Sequence, residues 1–200
     1  MPDVPASITS ERLTIRCPRV TDVPEIVTAV RESLEALEPW MRWATRDYSV
    51  DACEANTRQA IARFITRQDL RYHFHDRATG ELIGSSGLHR INWQVPRFEI
   101  GYWVRTSKAG QGYVSEAVHA LSRLAFDRLA ANRLEIRCDD LNVASARVAE
   151  RCGFELDAIL FNWQRAADGS LRHERVYVML DPSLLTEPGS PVPAVDPTPG

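Results

Sequence analysis

Long apolar runs are missing from this chain of 200 residues; none approaches the roughly 20 residues that a membrane-spanning helix needs. An excess of basic charge is missing too. The formal net charge is -3, the sequence pI is near 6.0 and both signs are interspersed, which argues against a nucleic-acid-binding surface. The four cysteines, Cys17, Cys53, Cys138 and Cys152, form no C-x-x-C and have no closely spaced histidine partners, so neither a zinc site nor a disulfide framework is expected. The opening MPDVPASITSERL lacks a signal-peptide core, and a cytoplasmic protein with no membrane contact is the expectation. Glycine is sparse as well, at 10 residues, so two of them within "KAGQGYVSEAV", Lys108 to Val118, stand out.

What is present suits one globular domain, with 44% hydrophobic residues. The last twenty residues hold six of the twelve prolines and no aromatics, so a domain over 1–180 and a disordered proline-rich tail over 181–200 are expected. His73 and His75 would share one strand face and could hold a metal if a third ligand arrived; the sequence places none nearby, and no metal is expected.

Periodicity orders the elements. "ERLTIRC" alternates as a first strand, and Asp22 with Glu25 has the spacing of a capping box for a helix with Ile26, Val27, Val30, Leu34 and Leu37 inward. A second helix fits about 50–66 with Ile61, Phe64 and Ile65 inward, after a loop "EPWMRWA" that carries two tryptophans. Three strands follow as an antiparallel meander, "LRYHFHD", "ELIGSSGLHRI" and "RFEIGYWV". "KAGQGYVSEAV" then opens a long amphipathic helix, "RLEIRCD" returns as a strand, Asn142 caps a short helix ending at Gly153, and two strands meet at Asp168-Gly169. The class is mixed α/β, with about seven strands and about four helices. The unit from Phe98 to Cys138 is βαβ, so its two strands should be parallel.

Glycines at a helix mouth let an anion reach unpaired amides, and a pyrophosphate is the leading ligand. The segment is not G-x-x-x-x-G-K-[ST], and Ser115 stands where the third glycine of G-x-G-x-x-G would fall. A plain tight turn is the alternative.

"FEIGYWV…KAGQGYVSEAV", followed by "LEIRCDDLNVASARVAERCGF", resembles the GNAT superfamily of acetyl-CoA-dependent N-acetyltransferases, in particular its RimJ/RimL branch. "SERLTIRCPRVTDVPEI", "EPWMRWA" and "RVYVML" extend the likeness to about residues 7–180. The resemblance implies a largely antiparallel sheet whose central parallel pair splays, with the pantetheine arm of acetyl-CoA in the gap against the backbone of Tyr102, Trp103 and Val104. It implies a phosphate site over Lys108, Ala109, Gly110, Gln111, Gly112, Tyr113 and Val114. The usual loop, R/Q-x-x-G-x-G/A, is broken at Ala109 and Val114, which leaves Lys108 to supply side-chain charge.

The branch pattern N-x-x-S puts protonation of the departing thiolate on Ser145, with Asn142 as cap and cofactor contact; an ordinary first-turn serine is the alternative. The glutamate expected in "LFNWQ" is replaced by Gln164. The base is then Glu99, Glu174 or water. Cys138 is a candidate for covalent transfer, with direct transfer in a ternary complex preferred. Trp40, Trp43, Glu99, Trp163 and Gln164 are the candidate acceptor contacts, Trp40 and Trp43 with equal claim as packing residues. The acceptor is a primary amine, either a protein N-terminus or a small molecule; a weakly catalytic acyl-CoA sensor is the reading from another class. The resemblance also allows a homodimer, for which no apolar stripe speaks.

Overall fold

The computed structural model describes residues 3–166 and 168–186. Eight strands form one mixed sheet in the order β1-β2-β3-β4-β5-β6-β8-β7. They are β1 (Ser7–Thr9), β2 (Leu13–Arg16), β3 (Leu70–Asp76), β4 (Leu82–Asn92), β5 (Arg97–Val104), β6 (Arg133–Asp139), β7 (Glu155–Arg165) and β8 (Leu171–Met179). The added strand comes from the front: "ERLTIRC" yields only β2, and Ser7–Thr9 folds back on it as β1.

Five α-helices accompany the sheet: α1 (Val23–Glu32), α2 (Leu34–Leu37), α3 (Val50–Ile65), α4 (Tyr113–Leu129) and α5 (Val143–Arg151). The single helix expected before Pro39 is two, because the chain breaks at Ser33, whose buried hydroxyl accepts the Thr106 N–H at 2.9 Å. The capping box also moves. Asp22 accepts the Arg19 N–H at 2.8 Å, one turn ahead of the predicted position, while Glu25 accepts the Leu82 N–H and pins α1 to β4. In α3 the inward face is Cys53, Thr57, Ala60 and Phe64; Ile65, expected inside, is 69% exposed because it lies at the helix end, one position past Phe64.

Two apolar clusters hold the layers together. The larger joins α4 and α5 to alternate residues of the sheet, including Phe98 and Ile100 of β5 and Leu134, Ile136 and Cys138 of β6. A smaller one joins α1 and Cys53 to Leu82, with Tyr48 and Trp103 at its margin. Side chains alternate along a strand, so Glu99, Gly101 and Trp103 stand on the face of β5 away from α4.

The central strands β5 and β6 are parallel, as the βαβ reading requires, yet they pair only at Arg97↔Arg133, Phe98↔Leu134 and Glu99↔Glu135. Beyond Glu99 they part. The described chain runs past the expected boundary at residue 180: a 3-10 turn over Pro182–Leu184 packs beside α5, and the Thr186 N–H reaches the Cys152 carbonyl at 3.4 Å. Residues 187–200, most of the expected tail, lie outside the described residues.

Candidate active site

The glycine stretch forms the mouth of α4. Gly110 and Gly112 have φ of +73° and +82°, left-handed values that L side chains rarely adopt. The first helical bond runs from the Glu116 N–H to the Gly112 carbonyl at 3.1 Å, so the amides ahead of Glu116 have no acceptor within the helix. Nothing lies within 4 Å of a Cβ built on Gly110. This is an open, amide-lined concavity with the positive end of a helix behind it.

Sequence reasoning missed the side chain that holds this mouth. Arg12 reaches across from the β1–β2 turn, with its Nε 2.7 Å from Glu116 Oε2, its Nη1 donating to the Gln111 carbonyl at 3.0 Å and its guanidinium stacked 4.4 Å over the Tyr113 ring. Burial raises the Glu116 carboxyl, but donors from the Arg12 backbone, Ser10 and the Arg12 side chain outweigh it and hold the pKa below the usual range. A separation of about a hundred residues left no local signal for this latch. Lys108, given the charge-supplying role from sequence, turns to Glu81 at 2.7 Å. The neighbouring Arg105 joins Glu81 and Glu32, whose carboxyl falls to about 2 under hydrogen bonds from Arg105 and Ser107.

Ser145 sits beside the gap. Asn142 Oδ1 accepts the Ser145 N–H at 3.1 Å, so the expected cap is present. The Ser145 hydroxyl is 3.0 Å from the Tyr102 hydroxyl, which also donates to the Ser145 carbonyl at 3.1 Å. Tyr102 thus contributes its phenol as well as its backbone. Burial pushes that phenol above its ordinary value, so it stays protonated. Cys138 is close enough to Ser145 to share a hydrogen bond, yet burial lifts its thiol to about 11, which disfavours a thiolate nucleophile.

On the other face of β5 lies a cavity of about 510 Å³ between the sheet, α1, α3 and the 38–49 loop. Trp43, Asp47, Tyr48, Arg71, His89 and Trp103 are among its walls. Trp43 stands 6.0 Å from Trp103 and 5.8 Å from Tyr48, ring centroid to ring centroid. Of the acceptor residues proposed from sequence, only Trp43 lines this space. Trp40 is 37% exposed on the loop, Trp163 is 53% exposed on β7, and Gln164 pairs in register with Arg172. Trp103, expected as a backbone contact to the cofactor, presents its ring to the cavity.

Glu99 occupies the last paired position of β5, where the strands part. Its Oε2 is 3.3 Å from Arg90 Nε and 3.5 Å from Arg137 Nε, and Arg137 also reaches Glu174 at 3.3 Å. Burial raises the Glu99 carboxyl despite both guanidiniums. The third partner that sequence spacing left out for His73 and His75 is Asp22: ligand-type atoms of all three lie within 4.8 Å. Both Asp22 oxygens already accept from the Arg16 guanidinium, at 2.7 and 2.8 Å.

Among the described residues no helix is long and apolar enough to cross a membrane. A profile of the GNAT acetyltransferase domain matches residues 12–155. YdaF of Bacillus subtilis is 27% identical over 178 residues, 86% of this chain and 92% of that protein. The ribosomal-protein-serine acetyltransferase of Escherichia coli is 39% identical over 80 residues, but these are only 40% of this chain and 45% of that enzyme. The structure of RimL, a ribosomal L7/L12 α-N-protein acetyltransferase in complex with coenzyme A, superposes with a TM-score of 0.82 at 22% identity, covering 88% of this chain and 99% of RimL, a likeness of fold. With a splayed parallel pair, an amide-lined helix mouth and a domain match over most of its length, the chain belongs to the GNAT family of acetyltransferases, on the RimJ/RimL-like branch.

Proposed function

We propose that this acetyltransferase moves an acetyl group from acetyl-CoA to the α-amine of a peptide or protein N-terminus, directly and without an acetyl-enzyme. The observation that carries the reading is the gap past Glu99, which has the Ser145–Tyr102 pair on one side of β5 and the aromatic cavity on the other. The chain fits the donor. Gly110 and Gly112 leave amides open for phosphate oxygens, with Lys108 through Val114 forming the rim, and the unpaired edge of β5 at Tyr102, Trp103 and Val104 offers strand-like hydrogen bonds. Acetyl-CoA supplies an acetyl carbon activated as a thioester.

The chain's own residues do the rest. Ser145, held by the Asn142 cap and by Tyr102, delivers a proton to the departing sulfur. Glu99, clamped by two arginines, places negative charge where an incoming ammonium must pass. Trp43 and Trp103 orient the first side chain of the acceptor, and Asp47 receives its amino group. An α-amine has a pKa near 8 and is partly neutral at physiological pH, so it needs less help than a lysine near 10.4. The printed names of the Escherichia coli relative and of RimL support a protein acceptor.

Thiol release measured with N-terminal peptides, polyamines and aminoglycosides tests this. Turnover on peptides alone is the expected result, turnover on polyamines or aminoglycosides alone overturns the acceptor, and acetyl-CoA binding without turnover favours a sensor. Ser145→Ala should lower kcat by about 100-fold with unchanged acetyl-CoA affinity. Equal kcat in the variant would remove Ser145 from the chemistry.

A further inference from the structure

Two glycines face each other across the middle of the sheet, Gly87 of β4 and Gly101 of β5, and one imidazole lies over both. A Cβ on Gly87 would come within 2.7 Å of His89 Cε1 and 2.8 Å of Nε2, and one on Gly101 within 3.3 Å of Cδ2. The ring belongs to His89, whose cross-strand partner is Glu99, at the point where β5 and β6 part. Its Nδ1 is 2.7 Å from Asp69 Oδ2, its side chain is 25% exposed, and it forms part of the cavity wall together with Gly101.

We propose that His89, oriented by Asp69, is the base that takes the proton from the acceptor ammonium. This rests on the transferase reading above. A carboxylate on Nδ1 fixes the proton there and leaves the lone pair on Nε2, the nitrogen over Gly87 and Gly101. Glu99 is poorly placed for the task, since two guanidiniums hold its carboxylate. Nε2 accepts one proton from the ammonium and later releases it to solvent. The neutral nitrogen forms its bond to the acetyl carbon as the carbon–sulfur bond breaks, and its surplus proton reaches the sulfur through the Ser145 hydroxyl. The charged and titratable groups around the ring are Asp69 ahead of β3, Arg71 on β3, Arg90 on β4, Glu99 on β5, and Asp47 and Tyr48 from the loop. His89 is thus the catalytic residue and Asp69 a positioning residue.

His89→Gln should lower kcat on an N-terminal peptide by about 100-fold or more, leave the KM for acetyl-CoA unchanged and remove the acid-side inflection from the kcat/KM profile. His89→Ala opens a space above Gly87 and Gly101, and added imidazole should restore turnover in proportion to its free-base concentration, a readout that packing alone would not give. Asp69→Asn should lower kcat and shift the inflection, with partial recovery in Asp69→Glu. An active wild type whose His89→Gln variant keeps kcat within about twofold and the same pH profile overturns the dyad alone. A wild type that binds acetyl-CoA but acetylates none of the amines overturns the transferase reading and the dyad together.

Discussion

Gly112→Val is expected to abolish acetyl-CoA binding while leaving the fold in place. At φ +82° a left-handed residue with a Cβ costs about 1–2 kcal/mol, and a β-branched one resists it further. The nearest atom to a new Cβ is Arg12 Nη2 at 3.5 Å, so there is room for the side chain; the backbone has to change instead. That change turns away amides at the mouth of α4. A hydrogen bond to a charged group contributes about 1.5–3 kcal/mol, so losing two weakens binding by roughly 10²–10⁴-fold. Titration calorimetry with acetyl-CoA reads the loss, and urea unfolding of the same variant confirms that the domain persists. Gly110→Ala is the milder companion, strained at φ +73° but open to solvent. Unchanged affinity in Gly112→Val would place the phosphates elsewhere.

Asp22→Ala should give the largest fall in stability among single substitutions outside the apolar core. The carboxylate is 6% exposed, accepts both Arg16 nitrogens and the Arg19 N–H, and stands 3.7 Å from His73 Nδ1. Its removal leaves a guanidinium with 16% side-chain exposure unpaired, a change that costs about 3–5 kcal/mol and lowers Tm by roughly 6–20 °C. Burial alone would raise the Asp22 pKa, but hydrogen bonds from His73, Arg16 and Arg19 drive it far below 3.8. A depressed folded pKa means that this stabilisation is complete above 3.8 and fades as pH falls through the folded value. The gap in Tm between wild type and variant should therefore be full at neutral pH and narrow only in strong acid. His73 and His75 add an earlier effect. Burial lowers both pKa values below 6.5, so the unfolded chain binds their protons first and stability begins to decline as pH drops below about 6.5. Melting curves from pH 7 to 3 separate the two stages.

Elements whose periodicity is local were legible in the sequence: β3, β5, β6 and α4 occupy the residues that alternation and helical spacing assigned to them. The loop at Gly110–Gly112 was legible because glycine at a helix mouth has few other uses. Contacts between distant segments were not. The Arg12–Glu116 latch joins β2 to α4, and nothing in either segment marks the other. His89 was read only as part of a strand, since a histidine in an alternating run carries no sign of the aspartate twenty residues earlier that orients it. The aromatic wall was read in part: Trp43 was placed, but Trp163 and Gln164 were assigned by order along the chain, while the twist of the final hairpin leaves Trp163 in solvent.

The three residue pairs between β5 and β6 also make the sheet two plates, five and three strands wide, fastened at one corner. The angle between the plates is then set by whatever wedges that corner, and Phe98 and Leu134, paired and fully buried there, are the wedge. Trimming either would alter the opening that receives both substrates without touching one of them, so tuning of this enzyme can originate in residues that no ligand meets.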